Sequence, residues 1–195
     1  MLDFFGKTEN FFPAKEVKNA DFSSFVAFDI ETTGLETESD IIEIGAVKVI
    51  SGKIADSFQE FVKPKTPIPA EITAITGITN EMVAGADPID KVLTRFRNFS
   101  KGHILVGHNA LRFDCRIMGY HANEQCILID NDVFDTLKYA KYRCEPFAGL
   151  QNNKLCTLCD YFGITSEVFH RADADAEVTA KLYLALQKYE KVKKK

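Results

Sequence analysis

No stretch of this 195-residue chain approaches the about 18–20 consecutive apolar residues needed to span a bilayer, so a membrane-spanning helix is excluded. Internal repeats and low-complexity segments are also missing, which leaves one domain of ordinary size. The opening residues, Met1 to Lys7, are partly apolar but lack the continuous hydrophobic core of a signal peptide, so a cytoplasmic protein is expected. Cysteines number five, an odd count that argues for reduced thiols. Cys156 and Cys159 have metal-site spacing, but no second pair of ligands accompanies them; the segment Leu155 to Gly163 reads better as a short helix with a glycine cap. A basic surplus is missing too, since the net charge is −4. That does not exclude a nucleic-acid partner: four carboxylates around two divalent cations would be neutralised, −4 + 4 = 0.

What is present is an ordinary globular balance, 46% hydrophobic and 27% charged. Residues 1–22 read as an N-terminal extension, 23–190 as the domain and 191–195 as a basic, solvated tail. Phe25 to Ile30 is a short apolar run closed by Thr32-Thr33-Gly34, the pattern of a buried strand. Ile41 to Ile50 and Lys53 to Val62 are two more strands, joined at Ser51-Gly52 as a hairpin and ended by prolines 64, 67 and 69. Helical spacing follows at Pro88 to Phe99, Ala110 to His121, Asp135 to Tyr142, Lys154 to Phe162 and Ala172 to Tyr189. Strands are expected at His103 to Gly107 and Cys126 to Ile129. The order predicts an α/β fold with a mixed sheet flanked by helices.

Carboxylates occur where apolar residues are expected. Asp29 and Glu31 lie two apart on the first strand and so project from one face. Adjacent carboxylates repel and are costly to desolvate, and a hard divalent cation, magnesium or manganese, removes the conflict. Asp114 shares a helical stripe with Ile117, Met118 and His121; it either pairs with Arg112 or Arg116 or binds metal. Asp175 lines up with Thr179, Leu182, Leu186 and Tyr189 near a helix start, where an acid can also answer the helix dipole. His170, in the loop just before, has the titration range of a general base at neutral pH.

Three segments, Asp29-Ile-Glu31-Thr-Thr-Gly34, His108-Asn109-Ala-Leu-Arg-Phe113-Asp114 and His170-Arg-Ala-Asp-Ala-Asp175-Ala, together resemble the three motifs of the DnaQ-like (DEDDh) exonucleases. That family includes the proofreading subunit (epsilon) or exonuclease domain of bacterial DNA polymerase III. The similarity runs from Phe25 to Ala185 and includes Ile75 to Thr79, Asp135-Thr136-Leu137 and Phe162-Gly163-Ile164. It implies a ribonuclease H-like fold with a five-stranded mixed sheet. It also implies two Mg2+ or Mn2+ held by Asp29, Glu31, Asp114 and Asp175, with His170 as general base. Thr32, Thr33, Gly34, Leu35, His108, Asn109 and Phe113 would hold the terminal nucleotide, although Phe113 serves equally well as core. Asp173 departs from the family pattern, which is apolar there.

The activity so implied is 3′→5′ hydrolysis at the ends of single-stranded or frayed DNA, releasing nucleoside 5′-monophosphates. RNA trimming of the ribonuclease T or oligoribonuclease type is the alternative, and an inactive binding module a third. The Ile75 to Thr79 segment favours DNA. A DNA polymerase is a candidate partner, and Leu2-Asp3-Phe4-Phe5 loosely resembles a sliding-clamp motif without its leading glutamine.

Overall fold

The computed structural model describes residues 10–18, 22–142, 150–165 and 170–193. Strands β1 (Phe25–Thr32), β2 (Ile41–Ile50) and β3 (Lys53–Phe61) come first, followed by helices α1 (Ala70–Thr76), α2 (Asn80–Val83) and α3 (Ile89–Ser100). Strand β4 (Leu105–Gly107), helix α4 (Asp114–Gln125), strand β5 (Val133–Asp135) and helices α5 (Thr136–Tyr142), α6 (Leu155–Phe162) and α7 (Ala172–Lys193) complete the chain. The sheet order is β3-β2-β1-β4-β5. The β1–β2 and β2–β3 pairs are antiparallel, while β1–β4 and β4–β5 are parallel, so the expected five-stranded mixed sheet is borne out.

β1 is central and covered on both faces, which explains its continuous apolar run. Alternation divides its side chains. Val26, Phe28 and Ile30 pack with Val92, Leu93 and Phe96 of α3 and Ile117 and Met118 of α4. Phe25 and Ala27 point the other way, into a second cluster with Leu158 of α6 and Val178, Leu182, Tyr183 and Leu186 of α7. The hairpin between β2 and β3 turns on Ser51 and Gly52, both at positive φ (51° and 77°), as a two-residue turn of the right-twisting kind requires.

Several boundaries differ from the sequence-based expectation. The fifth strand is Val133–Asp135, not Cys126 to Ile129. Cys126 instead ends α4 in the left-handed region (φ 53°), and Ile127 and Ile129 enter the core from the helix exit without joining the sheet. A short apolar run serves either purpose, so apolarity alone could not separate them. α4 begins at Asp114, because residues 110–113 form a turn. α1 and α2 were not expected after the prolines; they enclose a small core of Ile42, Ile68, Ile78 and Val83. α6 does end at a left-handed Gly163.

Part of the stretch read as an extension packs on the domain. The Val17 N–H donates to Val133 O (2.8 Å), the Val133 N–H to Lys15 O (2.8 Å) and the Ile129 N–H to Phe11 O (2.7 Å). This covers the outer edge of β5, and Phe12 is buried in the first core cluster. The clamp-like residues Leu2 to Phe5, with Lys194 and Lys195 of the tail, lie outside the described residues; the α7 backbone runs on to Lys193. Among the described residues no helix is long and apolar enough to cross a membrane. Phe12→Ala is expected to lower stability by about 3–5 kcal/mol, the usual cost of emptying a buried phenylalanine site. Urea unfolding measures this, and an unchanged midpoint would make the segment a dispensable appendage.

Candidate active site

Parity along β1 carries its two acids to the α7 side. Phe25 and Ala27 face α7, so Asp29 and Glu31 continue on the same face. Across the β1–β2 ladder, Asp29 is opposite Gly45 and Glu31 opposite Glu43. α7 passes over this position at very close range. A Cβ on Gly45 would lie 2.0 Å from the Ala172 carbonyl carbon and 2.2 Å from the Asp173 nitrogen, so only glycine fits under the first turn of α7. That approach brings Asp175 down to the two strand acids. Carboxylate oxygens of Asp29, Glu31 and Asp175 all lie within 4.8 Å of one another.

Asp114 reaches the same region from the other edge of β1. β4 is three residues long and pairs with β1 only at Val26 and Ala27, which leaves the β1 edge open further on. The Ile30 N–H in that gap donates to Asp114 Oδ1 (3.2 Å). Arg116, a conceivable ion-pair partner, instead donates to Leu35 O (2.7 Å) and to Thr37 Oγ1. The turn that delivers Asp114 is held by Asp135. Its Oδ1 accepts the Asn109 N–H (3.2 Å) and its Oδ2 the Leu111 N–H (3.1 Å). Gly107 is obligatory there, because a Cβ would meet the Ala110 Cβ at 2.4 Å.

His170 is exposed at the start of α7, with φ of 64°, and its backbone N–H donates to Asp175 Oδ2 (3.0 Å). The other oxygen of Asp175, Oδ1, is buried and has no protein partner. Burial, and then the neighbouring Asp114, Glu31 and Asp175, push the Asp29 carboxyl well above the ordinary range. Glu31 is pushed up to about 8 by burial, with Asp175, Glu43 and Asp114 adding to the effect and Arg171 opposing it. Asp114 rises to about 7 through burial, against the stabilising Ile30 N–H. Burial raises Asp175 also. A cluster that disfavours its own ionisation, with a buried oxygen left over, fits a divalent cation. Oxygen-only donors suit a hard ion. Among the described residues no cysteine belongs to such a cluster.

The remaining expected residues divide. Leu35 is 75% exposed beside the cluster's strand, on a loop that α4 holds through Arg116 and through His121 Nε2–H donating to Ser39 O (2.9 Å). Thr33 Oγ1 accepts the Asp40 N–H (3.0 Å), and Thr32 Oγ1 donates to Gly34 O (2.6 Å), so both hydroxyls shape the loop. His108 is turned into the protein, its Nδ1 2.9 Å from Thr136 Oγ1 and its Nε2 buried. Asn109 takes positive φ (63°) in the turn, and Phe113 packs against the first core cluster. Glu43, Gly45, Asp135 and Arg171 were not singled out from the sequence. Glu43 could have been: it is the one acid within the apolar run Ile41–Ile50.

The sequence model of the exonuclease family matches residues 26–183. The chain belongs to this family. Among curated relatives, the exonuclease chain is 43% identical over 163 residues to the PolC-type DNA polymerase III of Caldanaerobacter subterraneus subsp. tengcongensis, covering 83% of its own length. It is 45% identical over 168 residues, 84% of the chain, to that of Listeria welshimeri. It spans about a tenth (11%) of the length of each. Among solved structures, exonuclease X in complex with 5′-overhanging duplex DNA is similar at a TM-score of 0.70 and 27% identity, over 85% of this chain and 92% of that one. Escherichia coli exonuclease I with a dT13 oligonucleotide shares the fold at a TM-score of 0.73 and 20% identity, covering 88% and 42%.

Raised carboxyl pKa values make the metal-free exonuclease weaker at higher pH. For Glu31, ordinarily at 4.5 and here at about 8, the folded state holds its proton longer than the unfolded chain. Its contribution is therefore full below about pH 4.5 and lost as pH rises through 8. In EDTA the melting temperature is expected to fall from pH 5 to pH 8, and Mn2+ at pH 8 to restore it; a flat profile would contradict the assigned electrostatics. Gly45→Ala is expected to lift the first turn of α7 and weaken Mn2+ binding at least tenfold by titration calorimetry, since outer-shell changes cost about 10–100-fold.

Proposed function

We propose that this chain is a metal-dependent 3′→5′ exonuclease domain acting on DNA ends and operating within, or beside, a replicative DNA polymerase. The observation that carries it is the meeting of Asp29, Glu31 and Asp175 within 4.8 Å, with Asp114 of α4 bound to the β1 backbone at Ile30. Relatives named as DNA polymerases, and a structural neighbour solved on duplex DNA, support DNA over RNA.

Asp29, Glu31, Asp114 and Asp175 would hold two Mg2+ or Mn2+ ions. Bound there, such ions polarise the phosphodiester, lower the pKa of water and offset negative charge on the leaving oxygen. Asp29 feels the charges of Asp114, Glu31 and Asp175 alike, so it would be the ligand held in common, with Glu31 and Asp175 completing one ion's site and Asp114 serving the other. His170, exposed beside Asp175, takes the proton from the attacking water. Its backbone N–H, fixed on Asp175 Oδ2, ties the base to the carboxylate cluster. Leu35 offers an apolar surface for the terminal base, and the products are nucleoside 5′-monophosphates.

Degradation of 3′-labelled and 5′-labelled single-stranded DNA and RNA, with Mg2+, Mn2+ or EDTA, tests this reading. Stepwise metal-dependent shortening from the 3′ end, faster on DNA, is expected. Asp29→Ala should abolish hydrolysis with the circular dichroism spectrum unchanged. Faster RNA trimming would assign the domain to RNA, and strand binding without cleavage would make it a binding module.

A further inference from the structure

A fifth carboxylate converges where β1, β2 and α7 meet, and the protein has already neutralised it. Glu43 is fully buried and stands opposite Glu31. Its Oε1 accepts Arg171 Nη2 (2.7 Å) and Gln59 Nε2 (2.8 Å), and its Oε2 accepts Arg171 Nε (3.1 Å) and the Ala172 N–H (3.0 Å). Four donors saturate the group, and it is not one of the three acids whose oxygens cluster. The Arg171 guanidinium also lies over the Phe61 ring, 5.5 Å from its centroid. Two of those donor residues, Arg171 and Ala172, directly follow His170, which is held at positive φ.

We infer that Glu43 and Arg171 form a positioning pair that sets the backbone of His170 and seats the first turn of α7 over the acids. The inference rests on the role of His170 proposed above. The fork of two parallel N–H donors fixes direction as well as distance, so the chain leaving His170 has one orientation. The pair also separates the charges of the site. Arg171 answers Glu43, −1 + 1 = 0, and the four other acids stay available to metal. Lysine at 171 would keep the charge but not the fork.

Glu43→Gln and Arg171→Lys, made in the full chain, test this by steady-state kinetics on single-stranded DNA and by NMR of the His170 imidazole, assigned with His170→Ala. The expected result is a kcat about 10–100-fold lower in both variants with KM within about threefold, and a shifted His170 signal. Arg171→Lys keeps the test alive should Glu43→Gln fail to fold, because the Arg171 side chain is 27% exposed. Wild-type kcat in both variants, or a raised KM at unchanged kcat, would overturn the pair. Full activity in His170→Ala would instead refute the proposed base. In that event the His170 signal alone decides, with an unmoved resonance in Arg171→Lys counting against the pair and a shifted one for it.

Discussion

Like charges held together and partly withdrawn from water set the terms for everything around β1. Asp29, Glu31, Asp114 and Asp175 repel one another, and each is raised in pKa chiefly by burial. No arrangement of that kind is stable for its own sake. It persists because the elements carrying it are anchored by other contacts. β1 is fixed on one face by Phe28 against Phe96 and on the other by Phe25 against Tyr183. α7 is fixed by Leu182, Tyr183 and Leu186 in the second core cluster. The apolar ends of these elements stabilise the fold while their polar ends hold a geometry that a cation would complete.

The precision of the site comes from places where side chains are missing or already occupied. Gly45 lets α7 approach β2 more closely than any Cβ would permit, and the shortness of β4 leaves an edge for Asp114 to fill. Asp135 and Glu43 are buried acids as well, yet both spend their lone pairs on protein donors. The same residue type therefore plays two parts here. A carboxylate surrounded by N–H groups supports the frame, and one left with a bare oxygen, as in Asp175, is free to bind.

Much of this was legible in advance. Alternation placed Asp29 and Glu31 on one face of a strand, and helical spacing showed Asp114 and Asp175 to be acids within apolar stripes; both stripes are buried. The Ser51-Gly52 hairpin and the Gly163 cap were readable from turn chemistry. The fifth strand was not, because Ile127 and Ile129 plug the core with the same composition that a short strand would use. Phe12 looked like part of an appendage, since nothing local reveals that it reaches α4 and the β5 side of the sheet.

Local periodicity is a short-range property, so the sequence by itself determined which residues share a face, where turns fall and which acids sit out of place in apolar stripes. Convergence is long-range. Whether four acids from β1, α4 and α7 meet depends on sheet order, on the close approach that Gly45 allows and on the register that sets Glu31 beside Glu43. Only the tertiary structure decided that, because distances between elements far apart in the chain are set by packing, which no local pattern records.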